Sequence, residues 1–190
     1  MNNFFKELAQ ATNLMILDLP LTLGAIGVLF AIQIINALIG YRLNILGIWP
    51  RKKWGWIGIP FSPLLHGNFV HFFSNAFPLF IFSNFVLLSG KMILLKVTLF
   101  VVLVGGCFVW LFGRRGIHVG ASTLIMGYLG YIVVRIYYQP TALSLLIGLV
   151  TVVYFGGMFL NLFPTGEKRV SWEGHMLGFA TGILSGYFIY

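Results

Sequence analysis

Glu173-Gly174-His175-Met176-Leu177-Gly178-Phe179-Ala180-Thr181-Gly182, continuing through Ile183-Leu184-Ser185-Gly186, is the stretch on which the reading of this chain turns. Glycine recurs every fourth residue, so on a helix these positions form a strip with no side chains. A glycine in a helix interior costs about 1 kcal/mol relative to alanine. Four in register therefore imply that another backbone lies against them. Between helices in lipid, apolar burial supplies no driving force, and small residues that allow close packing hold the contact instead. His175 lies three and seven residues before Gly178 and Gly182, at the border of the strip. An ionisable residue inside a membrane helix is expensive and marks a functional site by default.

The rest of the chain agrees with a lipid surrounding. Of 190 residues, 59% are hydrophobic and 8% charged, with a mean hydropathy of +0.94. A soluble domain carries about a quarter charged residues, so much of this surface must face lipid. The net charge of +8 comes from cations set singly or in short runs between apolar stretches. That pattern fits membrane anchoring and not a nucleic-acid-binding face. Cys107 is the only cysteine, which excludes a disulfide framework or a cysteine metal cluster; a buried, inert thiol is expected. The length fits one domain, 1–190, with no separate soluble domain. Residues 1–18, where Lys6, Glu7 and Asp18 interrupt the apolar residues, read as a short amphipathic lead-in and not as a signal peptide.

A spanning helix needs about 20 mainly apolar residues. Breaks at charges, prolines and glycine clusters predict six spans, at about 19–41, 69–89, 92–112, 121–136, 142–163 and 172–190. The one long connection, 42–68, carries Trp49, Trp54 and Trp56 around Arg51-Lys52-Lys53 and is expected to lie in the headgroup layer.

Three polar constellations open spans two, four and six: His66-x4-His71-x3-Asn75, Gly120-x-Ser122 with Gly127 beyond, and His175-x2-Gly178-x3-Gly182. Successive spans alternate in direction, so these three begin on one side of the membrane and their polar residues converge at one depth. His71 and Asn75, four apart, share a helix face. A serine hydroxyl becomes a nucleophile when a base takes its proton, and histidine is the usual base. Acyl transfer also needs donors where the oxyanion develops, which amides, imidazoles and free helix N-terminal N–H groups supply. Ser122, His175, His71 and Asn75 fill these roles. None of the four acids, Glu7, Asp18, Glu167 and Glu173, is placed by sequence to orient His175, so a dyad is expected. The row Gly120, Thr123, Gly127, Gly130 in span four is the expected partner of the glycine strip in span six.

These motifs resemble the rhomboid family of intramembrane serine proteases, and the resemblance covers the chain from about residue 19 onward. It implies an all-α membrane protein, a six-transmembrane-helix bundle with a water-filled cavity opening to the outer face under a loop. It implies Ser122 as nucleophile, His175 as base, His71 and Asn75 as oxyanion support, His66 as a structural histidine, and Gly120, Gly178 and Gly182 as close-packing residues beside the site. The implied substrates are transmembrane proteins, cut near their outer end at small residues; no cofactor or metal is implied. The location implied is the inner or plasma membrane, crossed several times. Two features depart from the family. Thr123 stands where glycine usually follows the serine, and a β-branched residue there is expected to add bulk at the helix contact. Arg42, Arg51, Lys52, Lys53, Arg114, Arg115, Lys168 and Arg169 fall on the side that family orientation places outside, against the positive-inside rule; several are read as headgroup anchors.

Other polar residues have plainer readings. His118 is expected to be a loop or interface histidine, and Gln33, Asn84 and Asn161 to satisfy interhelical hydrogen bonds. The metalloprotease pattern His-Glu-x-x-His is absent from the chain. The alternative reading is a catalytically weak or inactive rhomboid-like protein that binds membrane clients. A transporter would show charged mid-span residues and paired broken helices, which the sequence lacks.

Overall fold

The computed structural model describes residues 3–160, 162–163 and 171–189. The described chain is helical: α1 (Asn3–Leu38), α2 (Phe69–Leu87), α3 (Lys91–Phe112), α4 (Ser122–Tyr138), α5 (Ala142–Phe155) and α6 (Trp172–Phe188). Among the described residues, α1, α2 and α3 are long and apolar enough to cross a membrane by length and composition. The helices α4 and α6, 17 residues each, and α5, 14 residues, are shorter.

Two boundaries differ from expectation. The lead-in and first span are one continuous 36-residue helix that runs through Pro20. Proline removes one helical hydrogen bond but need not end a helix in a membrane setting. Asp18, buried at the expected boundary, pairs with Lys91 at 2.8 Å, which satisfies the charge that suggested a break. The fifth span ends as a continuous helix at Phe155, and the chain then enters a short turn of helix at Gly157–Leu160. The Gly156-Gly157 pair, the poorest helix formers after proline, accounts for the break.

The connection 42–68 folds into three short 3-10 turns, Arg42–Leu46, Gly55–Gly58 and Ser62–Leu64, with Trp54 and Trp56 exposed. Among the described residues, its one sheet-like contact is an antiparallel bridge between Ile48 and His118. Arg51 clamps the end of α3 by donating to the carbonyls of Leu111 and Gly113 at 3.1 and 2.7 Å.

At the centre stands α4, in which every residue from 124 to 132 is buried. Phe72, Phe82, Val86, Val97 and Val101 pack around it from α2 and α3. The most extensive helix pair is α4 with α6. The glycine strip of α6 provides the space: Gly178 lies directly on the backbone carbonyl of Thr123, Gly182 on that of Gly127, and Gly186 on Val134. From the other side Gly130 meets the carbonyl of Phe179. The expected row on span four therefore holds for Thr123, Gly127 and Gly130. Gly120 is not part of it, because it precedes the helix with φ +119°. In α3 a π-helical segment, Val101–Gly105, packs on both α4 and α6.

Asn84 makes the expected interhelical bond, donating to Thr22 Oγ1 of α1 at 3.2 Å. Gln33 does not: it is fully buried and its amide atoms have no hydrogen-bond partner among the described residues. Cys107 is exposed on α3, not buried, because it lies on the face opposite the buried glycine pair Gly105 and Gly106. Asn161, Glu167, Lys168 and Arg169 lie outside the described residues.

Candidate active site

Ser122 is the first residue of α4. Backbone N–H groups in a first helical turn have no carbonyl one turn earlier to bond, so the Ser122 N–H and its neighbours are donors at the point where the hydroxyl emerges. Gly120 shapes the approach. Its φ of +119° strains any other residue, and a Cβ on it would stand 2.8 Å from His71 Nε2. Only glycine lets the loop pass under the imidazole.

His71 and Asn75 project from one face of α2 toward this loop, as their spacing predicts. The cap residue Asn68 accepts from the His71 N–H at 2.8 Å and fixes the start of the helix. His71 Nδ1 accepts a long bond from the Gly67 N–H, 3.4 Å. In a neutral ring that leaves the proton on Nε2, the nitrogen over Gly120. Asn75 is buried and donates one amide hydrogen to the His71 carbonyl at 2.7 Å. A primary amide has two N–H bonds, and Nδ2 would lie 3.8 Å from a Cβ on Gly120. Two side-chain donors thus stand over the residues leading into Ser122.

His66 supports them from behind. Its ring is buried and meets His71 and Phe72 edge-on, with centroids 5.3 Å away in each case. Neither ring nitrogen has a hydrogen-bond partner among the described residues. Burial, with His71 acting in the same direction, pushes its pKa down to about 3. It is held as a neutral packing group.

His175 lies in the first turn of α6, half-buried, its N–H donating to the carbonyl of the cap residue Ser171 at 3.2 Å. One turn further along, Gly178 makes the contact with Thr123, so the α4–α6 packing starts immediately below Ser122 and His175. Ser122, His175, His71 and Asn75 all line one cavity of about 850 Å3. Loop residues 114–119, Tyr154 and Phe155 at the end of α5, and Met158 just beyond it also line the wall. The carboxylate nearest in sequence, Glu173, faces the Arg114 guanidinium at 3.7 Å.

The family model described as Rhomboid domain matches residues 51–190. This chain belongs to the rhomboid family. Uncharacterized protein Rv1337 of Mycobacterium tuberculosis is 33% identical over 172 residues, covering 86% of this chain and 72% of that protein. Uncharacterized protein ML1171 of Mycobacterium leprae is 30% identical over 169 residues, covering 85% of this chain and 67% of its own length. The family match begins inside the long connection, so α1 lies before it.

Within this rhomboid domain the bulk anticipated at Thr123 does not become a clash. A Cβ added to Gly105 would stand 3.6 Å from Thr123 Cγ2, and one added to Gly174 would stand 3.1 Å from Thr123 Oγ1. The side chain occupies space that two glycines leave open. Sequence reasoning read His118 as a loop or interface histidine, which its place outside the helices bears out, and did not single out Ser171; both line the cavity and their side chains meet at 2.9 Å. The available signal was a cap: Ser171 directly before an apolar run with Glu173 in its first turn.

Proposed function

We propose that this rhomboid protein is an intramembrane serine endopeptidase in which Ser122 and His175 form the catalytic dyad, on a six-span bundle. The observation that carries the reading is the single cavity lined by Ser122, His175, His71 and Asn75, residues from three helices far apart in sequence. In the proposed cycle His175 takes the Ser122 hydroxyl proton as Oγ attacks the scissile carbonyl carbon. The oxygen that becomes anionic accepts from the Ser122 N–H, His71 Nε2–H and Asn75 Nδ2–H. Collapse breaks the C–N bond, and His175 returns the proton to the leaving amine. Water, deprotonated by His175, then attacks the acyl carbon; the Oγ–C bond breaks, the acid is released, and His175 returns the proton to Ser122 Oγ.

The substrates are transmembrane proteins that present a locally unwound, small-residue stretch to the cavity, with the motif-bearing ends of spans two, four and six toward the outer face. Crowding at Thr123 beside the serine would favour the client-binding alternative. With that side chain bedded between Gly105 and Gly174, it gives the alternative little support. Labelling with a fluorophosphonate serine probe, compared with Ser122→Ala, tests the proposal: a label that depends on Ser122 supports it.

A further inference from the structure

His118 lies at the antiparallel bridge between the long connection and the loop before α4. Its N–H donates to the Ile48 carbonyl at 2.8 Å, and its carbonyl accepts from the Ile48 N–H at 3.0 Å and the Ser62 hydroxyl at 3.1 Å. The backbone is thus pinned on both sides, and the ring starts from a fixed point. Nε2 lies 2.9 Å from the Arg114 carbonyl, which only accepts, so Nε2 carries the proton. Nδ1 lies 2.9 Å from Ser171 Oγ and, in the neutral ring, accepts the serine hydroxyl proton. Burial lowers the pKa of His118, outweighing the bond to the Arg114 carbonyl and the charge of Glu173, which act the other way. The neutral ring is therefore the form that fits.

Ser171 Oγ in turn accepts from the Gly174 N–H at 3.2 Å, and the Ser171 carbonyl accepts from the His175 N–H. A directional chain results: Gly174 N–H to Ser171 Oγ, Ser171 O–H to His118 Nδ1, His118 Nε2–H to the Arg114 carbonyl. It ties the first turn of α6 to the loop that leads into Ser122. That turn needs such a tie, because helix ends fray and the close contact with the α4 backbone starts only at Gly178.

We propose that His118 and Ser171 are a positioning pair that sets the first turn of α6, and with it His175, against Ser122. The inference rests on the protease reading and assigns neither residue to the chemistry. His118→Ala and Ser171→Ala each lower kcat by about 10- to 100-fold with little change in KM, the scale expected for a displacement near 1 Å. The two changes break the same link, so the double variant is no worse than the worse single one. Ser171→Thr, which keeps the hydroxyl, recovers most of the rate lost in Ser171→Ala. The rate of fluorophosphonate labelling falls with kcat, and amide hydrogen exchange at Gly174 and His175 speeds up in His118→Ala. A labelled wild type with an unchanged rate in His118→Ala overturns the inference and leaves the protease reading intact. Additive losses that follow melting temperature, with no rescue by threonine, overturn it as well. An unlabelled wild type with faster exchange in His118→Ala overturns the protease reading while supporting the tie between His118 and α6.

Discussion

Gly178→Ala places one methyl group where α6 meets α4. The added Cβ would stand 3.0 Å from both the Cα and the carbonyl carbon of Thr123, and closer still to the carbonyl oxygen. Carbon atoms in good contact sit about 3.5–4.0 Å apart, so α6 must withdraw by roughly 0.5–1 Å. Ser122 adjoins Thr123 and His175 lies one turn before Gly178, so the withdrawal falls on the proposed reacting pair. A misplacement of about 1 Å can cost around 10²-fold in rate, equivalent to about 2.7 kcal/mol in activation free energy. Stability should change less, because overpacking costs about 1–3 kcal/mol while alanine in place of helical glycine returns about 1 kcal/mol. The assay is kcat and KM on a synthetic helical substrate in detergent, with melting temperature on the same preparation. Gly24→Ala is the control: nothing lies within 4 Å of its added Cβ, and turnover should not change. Wild-type turnover in Gly178→Ala would refute the argument that this contact sets the geometry of Ser122 and His175.

Three further outcomes follow from the same geometry. Asn75→Ala should lower kcat by about 10²-fold or less with little change in KM; a pure KM defect would move Asn75 from oxyanion support to substrate positioning. Thr123→Gly should lower melting temperature without raising turnover, since the side chain fills space between Gly105 and Gly174 and glycine costs about 1 kcal/mol in a helix, less in its first turn. A rise in turnover would restore the crowding argument. His66 has a folded pKa near 3 against 6.5 for the free group, so below pH 6.5 the unfolded chain takes up a proton that the folded one refuses. Stability from this residue is present above pH 6.5 and is lost as pH falls toward 3. His66→Leu should flatten melting temperature over that window; an unchanged acid dependence would rule His66 out as its source.

The glycine strip of α6 and its counterpart on α4 were legible in the sequence because close backbone contact leaves a mark that only small residues can make. The motifs that supply Ser122, His175, His71 and Asn75 were legible because each opens an apolar helix with polar residues that such helices rarely carry, and the four residues line one cavity. The start of the first helix was not. Asp18 and Pro20 look like a boundary in one dimension, and only the position of Lys91, 73 residues further along in sequence, shows that the charge is paired. Cys107 was misjudged for a related reason: in a helix surrounded by lipid, apolar outward and apolar inward faces look alike. The link between His118 and Ser171 joins a loop to a helix cap 53 residues away, through a bond that no periodicity encodes.

The central claim is that Ser122 is a nucleophile activated by His175. The most direct test is fluorophosphonate labelling of the purified protein followed by peptide mapping of the adduct, with Ser122→Ala, His175→Ala and the double variant assayed for cleavage of the same helical substrate. The account predicts an adduct on Ser122, its loss or steep decline in His175→Ala, and a double variant no less active than either single one, because the two residues act as a unit. Full cleavage by Ser122→Ala, or an adduct on a different serine, would contradict it.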